Sequence, residues 1–230
     1  MAPLVAVSAD FGLWMPPWFL SLPRAGVLNV HPSLLPRHRG AAPIAWTLME
    51  GDLDAGVSFM LTDEGWDTGP VIADLRTRVM EGETAGELES RLAALAAPAL
   101  AGILDGYLDG SLPPKAQQGT PSQAPKIAAS EASVDWSLPA GRLMRKIHAL
   151  NPEPCARTAF RGRPLLLLRA AASGDPAPEG RVIRLSRSRI AVGCGEGSLE
   201  LVEVQPDSRR AMTSAAFCAG YGPADGERLG

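Results

Sequence analysis

The chain has 230 residues, 46% apolar and 20% charged, and its 22 Lys and Arg against 25 Asp and Glu leave a formal charge of -3. That length gives room for one or two domains, and the chain is too apolar and too mildly charged to be disordered. The longest nearly apolar run, residues 93–104, is interrupted by Pro98 and falls well short of the roughly 20 residues that cross a bilayer, so no membrane partner is expected.

Along the first half, Leu4–Ser8, Gly26–Val30, Val57–Leu61 and Val71–Leu75 are short apolar runs bounded by turn residues, the pattern of buried strands in a mostly parallel sheet. Pro43–Glu50 reads as a helix stopped by Gly51. Thr84 with Glu87 forms a capping box ahead of Leu88, Leu92, Leu95, Ala99 and Ile103 at helical spacing. Strands alternating with helices predict an open α/β sheet over residues 1–110. Residues 112–125 carry four prolines among Gly, Ser, Thr and Gln, which predicts an extended connection, bounded at 111–129. Beyond it, Ser137 caps a short helix that buries Leu143 and Ile147 and ends at Asn151-Pro152. Pro164–Ala170, Arg181–Leu185, Arg189–Gly193 and Ser198–Val204 then follow as short strands between turn residues, predicting an antiparallel barrel over 130–230.

Cys155, Cys194 and Cys218 are odd in number and have no paired spacing, which fits a reducing compartment and offers no zinc site. No Lys or Arg precedes Arg24 and Asp10 breaks the first apolar stretch, so no secretory leader is expected and the chain is placed in the cytoplasm. The small net charge hides an asymmetry. Residues 1–110 hold 6 Arg and 14 acids, whereas residues 111–230 hold 16 Lys and Arg against 11 acids. Eight of those Arg lie between Arg157 and Arg189, a density that suits either a polyanionic partner or a solvated Arg-rich surface.

The stretch Asn29-Val30-His31-Pro32-Ser33 sets an amide and an imidazole two residues apart at the end of a predicted strand. Period two puts both on one face, and ligands of open α/β sheets bind beyond the carboxyl ends of the strands. Asp63-Glu64-Gly65-Trp66-Asp67 follows another predicted strand, so a carboxylate of that loop can approach the imidazole. An amide donor for an oxyanion, an imidazole for proton transfer and a carboxylate to orient it suit acyl transfer to an amine. Ser33 is the alternative, as a covalent nucleophile, but it lacks a Gly-x-Ser-x-Gly elbow. His31 and His38, seven apart, lack the i, i+4 spacing of a metal-binding helix, so no metal is expected. His148 reads as a surface residue near a helix end.

The runs NVHPSLLPRHRGAAPIAWTLMEGD and GVSFMLTDEGWDTGPVI closely resemble the formyltransferases that use 10-formyltetrahydrofolate. Glu131 to Trp136, Leu150 to Pro154 and Val204 to Met212 resemble the carboxyl-terminal domain of the branch that formylates methionyl-tRNA. The resemblance implies a Rossmann-like sheet followed by a small OB-like barrel that binds tRNA. It implies 10-formyltetrahydrofolate as the formyl donor, initiator methionyl-tRNA as the acceptor, and a monomer. Asn29, His31 and Asp67 match the catalytic trio, with Asn29 polarising the formyl oxygen, His31 moving protons and Asp67 orienting His31. Phe11, Gly12, Leu13, Trp14, Leu61, Thr62 and Asp63 would then form the pterin site. Ser33, Leu34, Leu35, Pro36, Arg37, Arg39, Arg163 and Arg189 would face the tRNA. Family members carry a βαβαβ half ahead of the strand at Leu4. A late start assignment, a partial gene or a second chain would account for the difference, and low activity and an exposed, association-prone sheet edge are the expectations. The alternatives are a formyltransferase acting on a nucleotide-sugar amine, against which the basic second half argues, and a non-catalytic tRNA-binding fragment.

Overall fold

The computed structural model describes residues 2–230 and divides into two compact units. The first takes in residues up to Thr47, Asp52–Val79 and Glu87–Ile127, and the second Leu48–Gly51, Met80–Gly86 and Ala128–Gly230. The Pro-rich stretch 112–125 therefore lies within the first unit.

The first unit is built on strands β1 (Ala6–Ala9), β2 (Val27–His31), β3 (Asp54–Leu61) and β4 (Val71–Arg78), with helices α1 (Pro17–Leu20), α2 (Pro43–Glu50), α3 (Ala85–Ala96) and α4 (Leu100–Leu108). The sheet has the order β1-β2-β3-β4. Only β1 and β2 run parallel; β2 with β3 and β3 with β4 are antiparallel, so the mostly parallel sheet expected from the apolar runs is corrected to a mixed one. The physical sign lies in β4, where Asp74, Arg76 and Arg78 are exposed at alternate positions, the one-face-solvated pattern of antiparallel strands. The nine residues between β3 and β4 are also too few for a parallel crossover. β3 is buried from Ala55 to Met60, as a central strand should be, while β1 is an edge strand with Val7 exposed. The long helix expected through Ile103 is two helices bent by 49°, because Pro98 supplies no N–H and its ring blocks the preceding turn.

The second unit holds a 3-10 turn (Ala129–Ala132), helix α5 (Ala140–Ala149), strands β5 (Ala156–Phe160), β6 (Arg163–Ser173), β7 (Val182–Arg184), β8 (Ile190–Gly193), β9 (Ser198–Pro206) and β10 (Met212–Thr213), and helix α6 (Ser214–Tyr221). Every strand pair is antiparallel, in the order β5-β6-β9-β8-β7 with β10 on β9. The sheet curls at register shifts around Arg169, as bulges make it do, but it does not close. β5 and β7 form no ladder, and single bridges from Arg228 to Arg181 and from Leu229 to Phe160 reach the two ends instead. The closed barrel is thus corrected to an open curled sheet. Leu143 and Ile147 of α5 are fully buried. Ser137 does not cap α5: Pro139 precedes the helix, and the Ser137 hydroxyl donates to Asp135 Oδ1 at 2.7 Å. His148 is buried rather than on the surface, and its Nε2 accepts from the Ala170 N–H at 3.4 Å. No single helix among the described residues is long and apolar enough to cross a membrane.

Candidate active site

Strand register assembles the first part of the site. Ser8 of β1 stands opposite Asn29 of β2, and its hydroxyl donates to Asn29 Oδ1 at 2.9 Å. With that oxygen engaged, the two N–H donors of the amide are the atoms left for a ligand. Two residues on, His31 closes β2 on the same face. It is buried, and its Nε2 lies 3.0 Å from the His38 carbonyl oxygen. A carbonyl only accepts, so Nε2 carries the proton, and in the neutral ring Nδ1 holds the lone pair. Nδ1 faces Asp67 Oδ1 at 3.7 Å. That is an ion-pair distance rather than a hydrogen bond, so the carboxylate acts on His31 through its field.

Burial pushes the His31 pKa below its ordinary value of 6.5, the Asp67 charge and the His38 carbonyl pull it back up, and the neighbouring His38 ring lowers it. The ring is therefore mainly neutral near pH 7, with a basic Nδ1 and a carboxylate placed to stabilise it once protonated.

Asp67 is fixed by its loop. Asp63 Oδ1 accepts from the Thr68 hydroxyl at 2.7 Å and the Gly65 N–H at 3.1 Å, folding the turn that carries Asp67. Asp67 itself adopts a left-handed φ of 53°, and its Oδ2 accepts from the Gly40 N–H at 2.9 Å. Gly40 has a φ of 126°, and a Cβ there would lie 2.6 Å from the Ala124 carbonyl oxygen, so only glycine allows this approach.

Asn29, His31 and Asp67 all line one cavity of about 420 Å³, a volume within the usual range for small-molecule sites. Of the residues expected to hold the pterin, Phe11, Gly12, Leu13, Trp14, Thr62 and Asp63 line it and Leu61 does not. Thr62 Oγ1 is buried without a hydrogen-bond partner among the described residues, a polar group in the wall that a ligand can satisfy. The α3 side of the cavity, with Glu89, Leu92, Ala93 and Ala96, was not foreseen, because its apolar stripe reads as ordinary core. Ser8, Gly40 and Gln117 were also missed as site residues, although Gly40 lies within the run at 29–52, because each acts only through contacts that the fold makes.

The residues expected to face tRNA are placed unevenly. Ser33, Leu35 and Pro36 are buried, and Ser33 Oγ donates to the Arg37 carbonyl at 2.7 Å; they shape the loop rather than present a surface. Leu34 is half-buried. Arg37 is exposed but forked onto Asp52, and Arg39 donates to Gln117. Arg189 is paired with Glu200 through both carboxylate oxygens, whereas Arg163 is exposed with no side-chain partner among the described residues. No group of three or more His, Cys, Asp and Glu side chains placed to hold a metal occurs among the described residues.

The mixed α/β unit that sets an amide, an imidazole and a carboxylate around one cavity, and the antiparallel unit that follows it, each match a formyltransferase profile. The Formyl transferase profile matches residues 1–104, and the profile of the Formyl transferase, C-terminal domain matches 126–222. The chain is 42% identical over 231 residues to the methionyl-tRNA formyltransferase of Myxococcus xanthus, covering 99% of this chain and 73% of the relative. It is 41% identical over 229 residues to that of Thermus thermophilus, covering 100% and 74%. The chain belongs to the formyltransferase family. Among solved structures, HypX from Aquifex aeolicus in complex with tetrahydrofolic acid has a TM-score of 0.71 at 19% identity. The match covers 94% of this chain and 38% of HypX. Methionyl-tRNA formyltransferase from Clostridium thermocellum has a TM-score of 0.58 at 17% identity, covering 74% and 72%.

Proposed function

We propose that this chain transfers the formyl group of 10-formyltetrahydrofolate to the α-amine of initiator methionyl-tRNA in the cytoplasm. The carrying observation is the convergence, on one cavity, of the Asn29 N–H donors and the His31 Nδ1 lone pair with Asp67 behind it. Identity of 42% to a methionyl-tRNA formyltransferase supports the choice of acceptor.

In the reaction the formyl carbon gains a bond to the amine nitrogen and loses its bond to the donor's nitrogen, while one proton leaves the amine and one reaches the donor. Asn29 donates to the formyl oxygen as negative charge builds on it, a term worth about 2.7–4 kcal/mol per donor in other enzymes. Ser8 engages Oδ1 and so leaves the amide N–H groups to the formyl oxygen. His31 takes the amine proton on Nδ1 and passes a proton to the departing nitrogen, and Asp67 lowers the energy of the imidazolium in between. The formyl donor supplies the activated one-carbon group. The cavity suits its head, with an apolar wall of Ile44, Leu92 and Ala96 and the unpartnered Thr62 hydroxyl. Residues 1–110, with the stretch 112–125 that belongs to the same unit, carry this chemistry, and 130–230 face the tRNA, where Arg163, Arg187, Arg209 and Arg210 are exposed with no side-chain partner among the described residues.

The test is a transfer assay offering charged initiator tRNA or a nucleotide-linked amino sugar, run on this chain and on a form extended upstream in the same reading frame. Formylation of the tRNA alone is expected. Formylation of the sugar alone overturns the choice of acceptor, and no transfer by either form overturns the enzyme reading.

A further inference from the structure

Gln117 lies in the Pro-rich stretch that reads in sequence as a mere connection. Its side-chain amide is fully used. Nε2 donates to the Asp67 carbonyl and to the Gly69 carbonyl, each at 2.8 Å, and Oε1 accepts from Arg39 Nε at 3.0 Å and Arg39 Nη2 at 2.6 Å. A primary amide has two N–H donors and two acceptor lone pairs, so none is left over. The orientation is also unique, since a flipped amide would set NH2 against guanidinium donors and oxygen against two carbonyls.

These bonds form a closed ring. Arg39 holds the Gln117 oxygen, its chain neighbour Gly40 donates to Asp67 Oδ2, and the Asp67 carbonyl returns to Gln117. Asp67 belongs to the ring and adopts a φ of 53°, a left-handed state that is uncommon for non-glycine residues and that Asp tolerates better than most, so the ring's bonds add to its hold. The carboxylate so held stands 3.7 Å from His31 Nδ1. We propose that Gln117 is a positioning residue for the transfer reaction, closing the hydrogen-bond ring that keeps the Asp67 carboxylate against His31. The assignment rests on the formyl-transfer reading for its role in catalysis, but its physical content, the Asp67 to His31 spacing, does not.

That separation sets the experiment. The charged and titratable groups around His31 are Asp67 and the His38 ring, with Asp52 and Arg37 behind His38. Asp67 raises the His31 pKa, so slackening the ring must lower it. The His31 imidazole is titrated by NMR in the intact chain, with the His38 and His148 signals as internal controls of folding. Gln117→Met keeps the side-chain length and removes all four bonds. It is expected to lower the His31 midpoint by about half a pH unit or more, in the direction given by Asp67→Asn. Gln117→Asn, one methylene short of its partners, covers the case in which Gln117→Met unfolds the chain, and should move the midpoint the same way. Where transfer is measurable, kcat should fall about tenfold with KM for the formyl donor unchanged. A His31 midpoint that moves in Asp67→Asn but stays in place in the folded Gln117 variants overturns the proposal. If no variant or parent shows transfer, the enzyme reading fails while the titration still decides the role of Gln117.

Discussion

Two His–Asp pairs lie close together in this chain, and they do different things. His38 Nε2 meets Asp52 Oδ2 at 2.7 Å, whereas His31 Nδ1 stands 3.7 Å from Asp67 Oδ1. By distance alone the His38 pair is the better bonded, yet it lines no part of the cavity. Its imidazole is buried with Nδ1 3.5 Å from Ser122 Oγ, the His38 backbone N–H donates to the same Oγ at 2.9 Å, and Arg37 forks onto the same Asp52. Every strong group there is spent on the protein itself. His31 gives only Nε2 to the protein and keeps Nδ1 for the cavity. The comparison teaches that the length of a His–Asp contact does not decide its role; what separates the two pairs is that His31 keeps a ring nitrogen on the cavity and His38 does not. The two are linked, because the carbonyl that fixes the His31 tautomer belongs to His38.

The largest break in that contrast should come from the cavity side. Asn29→Ala is expected to cut kcat by about 10²- to 10³-fold with a small change in melting temperature, and His31→Ala by about 10²- to 10⁴-fold, the latter with a clear drop in melting temperature as well, because it empties buried volume and unpairs the His38 carbonyl. A steady-state assay beside a thermal melt checks both.

Asp67→Asn comes next. It leaves a neutral group of the same shape, so kcat is expected to fall roughly 10- to 100-fold. Because Asp67 raises the His31 pKa, the acid limb of the rate profile should move to lower pH. Stability follows the same linkage. Folding lowers the His31 pKa, so the unfolded chain binds this proton first as pH drops. Its contribution is complete above the ordinary value of 6.5 and is lost as pH falls from there toward the folded value. Urea unfolding across that window checks the sign.

On the His38 side the order of effects should invert. Asp52→Asn leaves His38 and Arg37 without their carboxylate, which is expected to cost about 1–3 kcal/mol of stability and only a few-fold in kcat, through the His38 carbonyl. A larger loss of rate than of stability would place Asp52 with the catalytic group instead.

Much of this was legible in the sequence, for physical reasons that differ by region. Asn29 and His31 follow from strand periodicity, and α2 from the helical stretch Pro43–Glu50 with its Gly51 stop. The strands of the second unit follow from the turn residues between them. β5 was not foreseen, because Ala156–Phe160 mixes small and charged residues without clean alternation. Nor was α6, whose start is set by Thr213 accepting from the Ala216 N–H and whose end is set by Gly222 in the left-handed region. Its Ala-rich body carries too weak an apolar stripe to announce a helix. The His31 tautomer, the Gly40 approach and the Gln117 ring join residues 7, 27 and 50 positions apart. No local pattern carries such contacts.

The smallest effect concerns the basic residues of the second unit, where the contrast between spent and unspent groups recurs. Arg161 is paired with Glu227, Arg189 with Glu200, and Arg184 donates to the carbonyls of Pro223 and Arg187. The excess of arginine in sequence therefore overstates the charge free to meet a polyanion. Arg163 is exposed and has no side-chain partner among the described residues, so it is the sharper probe. Arg163→Gln is expected to weaken binding of initiator tRNA by about 1 kcal/mol or less and to reduce the slope of log affinity against log salt by about one. Folding should be untouched, since no internal bond is lost. Filter binding over a salt series reads the slope directly. An unchanged slope would move the tRNA contact away from the β5–β6 end of the sheet, toward Arg187, Arg209 and Arg210, which are likewise exposed with no side-chain partner among the described residues.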